Sequence, residues 1–492
     1  MANPIYISTL CFPFFSPRQA PVMEPSSPRK PHLPSLPLDS ENKATEFHPF
    51  STSPPHMLAF HLAWLSLFSC FFSTFSIPPL IPIMRQNLNL SAADVGAAGT
   101  AAFVGSIFSR LAMGPVCDLV GPRIASAALS LITAPIVLAT AFISSPTSFI
   151  LVRFLIGFCL ANFVANQFWM SSLFSTSVVG LANGFAAGWA NMGAGVAQLT
   201  MPLLYSFVKS FNVPENTAWR VIFVVPATFQ AITAIMVLIY GQELPCKDSI
   251  KVSNKPKESF LRLLFNGLMN YRGWILGLIY GCCFGVEMTM DNIVAQYFYY
   301  RFGVNLQVAG TIAACFGLTN WFARPMGGVV SDQMAKLFGV RGRLWGLWAV
   351  LTVAGLLCVL MGRANSVGAS IGVMCMFSVF VQAASGLTFG IVPFVSKRSR
   401  RLNFEPQTPN TVMSLGVISG MTGSGGTVGA VVTQMLLFSG DKFSTQTSIS
   451  IMGLMMIICT LPISLIYFPQ WGGMFCTPNE TSIGEEDYSL LV

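Results

Sequence analysis

From residue 57 onward the chain alternates long apolar runs with short polar breaks. Runs of about 20 apolar residues are long enough to cross a bilayer as helices. Helices are required there because lipid offers no partner for a free N–H or C=O. The pattern predicts spans at 57–84, 94–116, 124–143, 147–170, 180–206 and 221–241, then at 273–300, 306–331, 344–362, 368–395, 412–438 and 449–469. The polar connection 242–272 divides six from six and reads as a central cytoplasmic loop. Residues 1–56 are rich in Pro and Ser, lack periodicity, and read as a disordered cytoplasmic N-terminal tail. Residues 470–492 form a polar, acidic C-terminal tail. The expected fold class is all-α: a polytopic membrane protein of twelve transmembrane helices in two six-helix halves, 57–241 and 273–469.

Composition agrees. Of 492 residues, 53% are hydrophobic and 9% charged, against about 25% charged in soluble domains. The net charge of +8 does not point to nucleic acid, because the basic residues sit in short loops between apolar spans. With the N-terminus inside, 18 of the 27 Lys and Arg fall on the cytoplasmic side and 6 outside. That bias places both termini in the cytoplasm. The remaining three, Arg110, Arg153 and Arg324, lie within spans. Cysteines such as Cys70, Cys159 and Cys282 fall mostly inside spans and read as small apolar packing residues. No metal-ligand spacing is present, and no metal or cofactor is expected. Met23 begins a typical polar cytosolic tail, so residues 1–22 read as an upstream extension of the gene model. A cleaved signal peptide is the alternative, against which stands a short apolar run broken by prolines.

The halves resemble each other. FSRLAMGPVCD, Phe108 to Asp118, aligns with FARPMGGVVSD, Phe322 to Asp332, at an offset of 214 residues. GFAAGWANMGAGVAQ, Gly184 to Gln198, aligns with GMTGSGGTVGAVVTQ, Gly420 to Gln434, at an offset of 236. Paired six-helix repeats describe a facilitator-type carrier with its substrate near the midplane between them. The growth of the offset by 22 residues locates extra chain in the second half, and 396–412 is the candidate inserted loop.

Arg110 and Arg324 carry the chemistry. A mid-bilayer Arg costs about 2.5–3.5 kcal/mol on insertion scales. Each stands eight residues before an Asp, Asp118 or Asp332, that marks a cytoplasmic helix end; at 1.5 Å per residue each lies about 12 Å inside. Symmetry brings the guanidinium groups face to face, where they repel unless an anion joins them. A planar fork of donors suits a planar oxyanion. The competing reading pairs each Arg with a local carboxylate or with carbonyls. Glu287 and Asp291, four apart on one helix face, are the acids deepest in a span and the proton-coupling candidates; a structural salt bridge to an Arg is the alternative. Arg153 reads as structural or gating. The helix-packing glycines Gly184, Gly188, Gly193, Gly420, Gly425 and Gly429 allow close helix approach. Asn191, Gln198, Thr427 and Gln434 are the candidate hydrogen-bond partners for substrate beside them.

At these residues the chain resembles a known family. GPVCDLVGPR, with Gly114, Asp118, Gly121 and Arg123, is similar to the signature that follows span two in the major facilitator superfamily. AGWANMGAG (Ala187 to Gly195) and GMTGSGGTVG (Gly420 to Gly429) resemble the paired nitrate signatures of the nitrate/nitrite porter family. FHLAWLSLFSCFFSTFSIPPL (Phe60 to Leu80) and YFPQWGGMFC (Tyr467 to Cys476) resemble its plant-type members, nearest the seed and vacuolar subgroup. The resemblance implies proton-coupled nitrate uptake, with Arg110 and Arg324 at the family's nitrate-binding positions. It departs from the family at Thr427, where Asn is usual, at the insertion from Arg400 to Thr411, and in the short C-terminal tail. Many members need a single-span accessory protein; for this subgroup the requirement stays open. EDYSLL, Glu486 to Leu491, fits an acidic dileucine sorting pattern, which sets the vacuolar membrane against the plasma membrane.

The expected mechanism is alternating access, with nitrate between the two arginines, protons as the coupling ion and the lipid bilayer as surroundings. Moving the anion inward against a negative-inside potential costs about 2.3 kcal/mol per charge per 100 mV, so a protein carboxylate must carry the proton. The alternatives are a facilitator for another small anion (nitrite, chlorate or phosphate) and a nitrate sensor without net transport. An enzyme is not expected, since no nucleophile–base pair is visible.

Overall fold

The computed structural model describes residues 36–243, 268–396, 415–438, 443–468 and 471–476. The expected inserted loop, most of the central loop, the segment 1–22 and the EDYSLL pattern lie outside them.

The described chain is helical almost throughout. The first half comprises α1 (His56–Thr74), α2 (Ile81–Leu88), α3 (Ala92–Val120), α4 (Pro122–Ala139), α5 (Pro146–Ile156), α6 (Asn162–Leu173), α7 (Val179–Lys209), α8 (Glu215–Val221) and α9 (Val224–Tyr240). The second comprises α10 (Tyr271–Phe302), α11 (Leu306–Leu318), α12 (Asn320–Arg363), α13 (Val367–Ser396), α14 (Leu415–Leu437) and α15 (Thr445–Ile458). A two-residue hairpin pairs β1 (Tyr467–Phe468) with β2 (Gly472–Gly473).

Among the described residues nine helical stretches are long and apolar enough to cross a membrane. One of them, Gln307–Arg363, runs two expected spans together. The break between them is Gly339, at φ 63°, a conformation that costs glycine little because it has no Cβ. The glycine-rich α7 and α14 cover two further expected spans but are not among the nine. Large apolar side chains such as Phe108, Ile132, Phe142, Phe207 and Ile239 stand exposed along the helices. An apolar belt of that extent on a helical protein is a surface for lipid.

Several helices start with side-chain caps on one face of the protein. Ser91 accepts from the Asp94 amide (3.1 Å) while Asp94 accepts from the Ser91 amide (2.9 Å). Asn305 accepts from the Val308 amide (2.8 Å) and Ser444 from the Thr447 amide (3.3 Å). Each satisfies amides that helix geometry leaves open.

Expected disorder through residue 56 is corrected over residues 36–55. Ala44 and Phe47 are buried, and the Phe47 ring meets Phe60, Phe174 and Phe185 at 5.0–5.4 Å. The segment has no helical or strand period, which is what pattern reading relies on. Its aromatic anchors nonetheless find partners on α1 and α7.

The halves touch most extensively along α3 with α14 and α7 with α12, and α7 also packs on α11 and α13. Glycines set both approaches. A Cβ on Gly114 would lie 2.6 Å from the Gly416 carbonyl oxygen, and one on Gly420 2.9 Å from that of Arg110. A Cβ on Gly184 would lie 2.8 Å from the Arg324 carbonyl oxygen. Gly193 packs instead on α1, against Phe68 and Phe72, while Gly425 and Gly429 pack on Gly277 and Gly281 of α10.

This contact surface yields a paired test. At Gly188 a Cβ would stand 2.6 Å from the Asn320 carbonyl oxygen and 2.8 Å from Pro325 Cδ. Gly188→Ala is expected to destabilise by about 1–3 kcal/mol through overpacking. Gly372, with nothing within 4 Å, is the control, and its change to Ala should be neutral or gain up to about 1 kcal/mol. Thermal unfolding in detergent reads both; equal behaviour of the two variants would count against the packing assignment.

Candidate substrate site

Residues 280, 284, 287 and 291 recur on α10 at steps of four, three and four, and so share one helix face. They are Tyr280, Phe284, Glu287 and Asp291, all buried. On α3 and α12, Arg110 and Arg324 are fully buried, at 0% exposure. The two guanidinium carbons lie 5.0 and 5.2 Å from the centroid of the same ring, Phe284. Their separation therefore cannot exceed the sum of those distances. Phe163 of α6 stands 5.2 Å from Arg110. Tyr280 stacks on Phe284 at 4.8 Å, and Phe389 of α13 meets Phe163 and Tyr280 edge-on, both at 5.0 Å. Each desolvated cation over a ring gains about 2 kcal/mol.

The two cations are held differently. Arg324 Nη2 pairs with Glu287 Oε2 at 2.6 Å. Asn320 locks the pair: its Nδ2 donates to Glu287 Oε1 (2.9 Å), and Arg324 Nε donates to its Oδ1 (2.7 Å). The Ser385 hydroxyl donates to Glu287 Oε2 at 3.4 Å. Arg110 makes no ion pair among the described residues. Its Nε donates to the Leu160 carbonyl (3.1 Å) and its Nη1 to that of Gly423 (2.7 Å). Arg110 Nη2 and Arg324 Nη1 remain buried without a hydrogen-bond partner. The picture of two uncompensated cations awaiting an anion is thus corrected: Glu287 already neutralises Arg324. Arg110, by contrast, has no carboxylate partner among the described residues.

The remaining sequence candidates are dispersed. Asn191 Nδ2 donates to the Ala187 carbonyl of its own helix (2.7 Å), and Thr427 Oγ1 to that of Ser424 (2.9 Å). Gln198 Nε2 reaches α10 at the Asp291 carbonyl (3.1 Å). Gln434 lines a cavity of 430 Å³ on the face where α3 and α5 begin and α10 ends. Arg110 and Arg324 line neither this cavity nor an apolar one of 380 Å³ between α3, α10 and α14. The Phe284 ring lies about 5 Å from both guanidinium groups.

Toward the opposite face the halves are clamped. Asp332 accepts from the Leu181 amide (2.7 Å) at the start of α7 and pairs with Arg343 at 2.8 Å. Arg343 also donates to Ser331 Oγ at 2.7 Å. Asp118 lies against Gly416 across the other pair of helices. Gly121, at φ 85°, turns the chain from α3 into α4. Arg123 then holds the end of α9, its amide donating to Glu243 (2.7 Å) and its Nη1 to the Gly241 carbonyl (2.8 Å).

Sequence reasoning missed Asn320, Ser385, Arg343 and the aromatic cage. The spacing from Tyr280 to Asp291 was a readable signal for the cage. Arg343 had none, because its position beyond Asp332 looks like any basic loop residue.

A helical membrane protein built from two repeats, with a charged polar cluster buried between them, is the architecture of a transporter. Known proteins agree. The Major Facilitator Superfamily pattern matches residues 63–401. The chain is 59% identical over 493 residues to High affinity nitrate transporter 2.7 of Arabidopsis thaliana, covering 96% of each chain. It is 54% identical to High-affinity nitrate transporter 2.3 of Oryza sativa subsp. japonica, over 92% of this chain and 86% of that one. Among solved structures, the E. coli fucose:proton symporter FucP shares the fold, with a TM-score of 0.61 at 15% identity, over 83% of this chain and 98% of that one. The chain belongs to the major facilitator superfamily and, within it, to the plant high-affinity nitrate transporter family.

The ion pair can be tested by itself. Removing one partner of a buried pair strands the other and costs about 3–5 kcal/mol. Glu287→Leu should therefore lower thermal stability far more than Ser385→Ala, whose bond to the carboxylate is long. Similar melting temperatures for the two variants would contradict the assigned pairing.

Proposed function

We propose that this integral membrane protein carries nitrate across its membrane by proton-coupled alternating access. The observation that supports the reading most is the pair of buried guanidinium groups flanking one aromatic ring, each with a donor to spare. Nitrate is flat and singly charged, and it accepts hydrogen bonds at three oxygens. Between two planar guanidinium groups it can accept from both and stack on the surrounding rings. Rotation of Phe284 out of the gap makes the room.

Coupling then runs through Glu287. With the carboxylate ionised, Arg324 is neutralised and attraction for an anion rests on Arg110. Protonation of Glu287 releases Arg324, so proton and nitrate favour each other's binding through one shared guanidinium. One proton cancels the charge of one nitrate, and a second would let the membrane potential drive entry. Packing of the halves around Asp332 and Gly416, with a cavity on the other side, suits a carrier closed toward one face. In the topology proposed from the Lys and Arg bias, the closed face is cytoplasmic. Nitrate transport is also the activity named for the plant relatives.

Labelled nitrate flux into proteoliposomes, at matched protein content, tests the reading. Arg110→Lys and Arg324→Lys keep the charge and lose the fork. Each is expected to weaken nitrate by about 10–100-fold, the worth of one charged hydrogen bond. Undiminished flux in both would remove the binding assignment. Glu287→Gln should retain nitrate binding but lose acid stimulation of uptake; a preserved pH response would transfer the coupling role elsewhere.

A further inference from the structure

The 430 Å³ cavity lies apart from the buried arginines, and its lining is unusual for a membrane protein. Three cations face it: Arg85, Arg153 and Arg301. Four amides join them: Asn292, Gln296, Gln434 and Gln446. Among the described residues no carboxylate lines it; two acids adjoin lining residues in sequence, Asp94, held in the Ser91 cap, and Asp291, buried beside Asn292. Arg153 is the telling member. It is 3% exposed and forms no ion pair among the described residues. Its one described hydrogen bond runs from Nη1 to the Thr74 carbonyl at 3.1 Å. Arg301 is braced by Tyr297 and by the Ala364 carbonyl (2.6 Å), and Arg85 by that of Leu90 (3.1 Å). Neutral oxygens thus orient all three cations, and no carboxylate pairs with them among the described residues. Asn292 Nδ2, beside Gly99 of the lining, is buried and without a hydrogen-bond partner among the described residues.

Three helices run from this cavity to the buried site. Leu160, whose carbonyl holds Arg110, is two helical turns beyond Arg153, about 10 Å. Glu287 is five residues before Asn292 on α10, about 7 Å. Gly423, the other carbonyl on Arg110, is eleven residues before Gln434 on α14, about 16 Å.

We infer that this cavity is a second anion site, an antechamber that gathers small inorganic monoanions and hands them to the buried arginines. A concave, low-dielectric wall lined by one sign of charge concentrates counter-ions and speeds their capture. Donors from amides and guanidinium groups can replace part of an anion's hydration shell there. The absence of a carboxylate from the lining selects against cations. The handing-on role rests on the nitrate reading; the anion site does not.

Two measurements on the full chain separate these parts. The first reads charge without any substrate. Gln296, half-buried on the wall, is changed to Cys, and its rates of modification by anionic sulfonatoethyl and cationic trimethylammonioethyl methanethiosulfonates are compared. The reactions of the parent chain, which has exposed Cys315 and Cys476, are subtracted. A preference for the anionic reagent of about tenfold is expected, falling toward unity when Arg301→Gln or Arg153→Gln is added and surviving Arg153→Lys. A ratio near unity before any Arg is changed, or one that ignores both Gln changes, overturns the site.

The second reads transport. Arg85→Gln and Arg301→Gln should raise KM for nitrate about threefold to tenfold at low ionic strength with Vmax held. The difference should shrink as sodium gluconate reaches about 0.15 M, where charges are screened beyond about 8 Å. An unchanged KM in both variants, in a parent that does transport nitrate, overturns the antechamber role alone. A parent with no nitrate flux overturns the nitrate reading, while the reagent ratio still decides whether the cavity holds anions.

Discussion

The centre of this protein depends on a buried ion pair that takes in one of its two guanidinium groups and leaves the other without a carboxylate partner among the described residues. Arg324 and Glu287 meet at 2.6 Å with Asn320 clamping both, while Arg110 has only backbone carbonyls and aromatic faces. In a low-dielectric interior such groups interact strongly over distances that water would screen. In the proposed function, that buried guanidinium is kept for an anion from outside.

The rest of the fold can be understood as a frame for that cluster. Arg110 and Arg324 stand on α3 and α12, each of which packs against the opposite half. Glycines at Gly114, Gly184, Gly188 and Gly420 bring backbones into contact there, so small shifts between the halves move Arg110 relative to α10 and Arg324. The Asp332 clamp joins the halves through one charge-assisted contact to the Leu181 amide, with Arg343 of the same helix bracing the carboxylate. Interfaces of this kind have discrete alternative packings rather than a continuous range. In the proposed cycle, that property lets one ion pair control which side is open.

The outer cavity extends the same electrostatic theme. Positive charge there is oriented by neutral oxygens and left uncancelled, as it is on Arg110. In the proposed path, an anion moving inward along α5, α10 and α14 would leave one positive region for another, passing Asp291 and Glu287 on α10. The fold thus arranges successive sites of the same sign, spaced by helical turns.

Membrane class, the helical elements and the burial of Arg110, Arg324 and Glu287 were legible in the chain. Composition and run length decide whether helices can lie in lipid, and a charge within an apolar run is visible without coordinates. The superfamily was legible too, because backbone contacts at glycines and turns leave local signatures. What tertiary structure alone decided is which charges meet. Glu287 is 37 residues from Arg324 in the chain and might equally have faced Arg110; only helix rotation and packing choose between them. The same is true of Asn191 and Thr427, whose polar groups turn back to their own helices. Phe47 and Ala44 were hidden for another reason: an irregular segment has no period to read, and its burial exists only once α1 and α7 supply a surface.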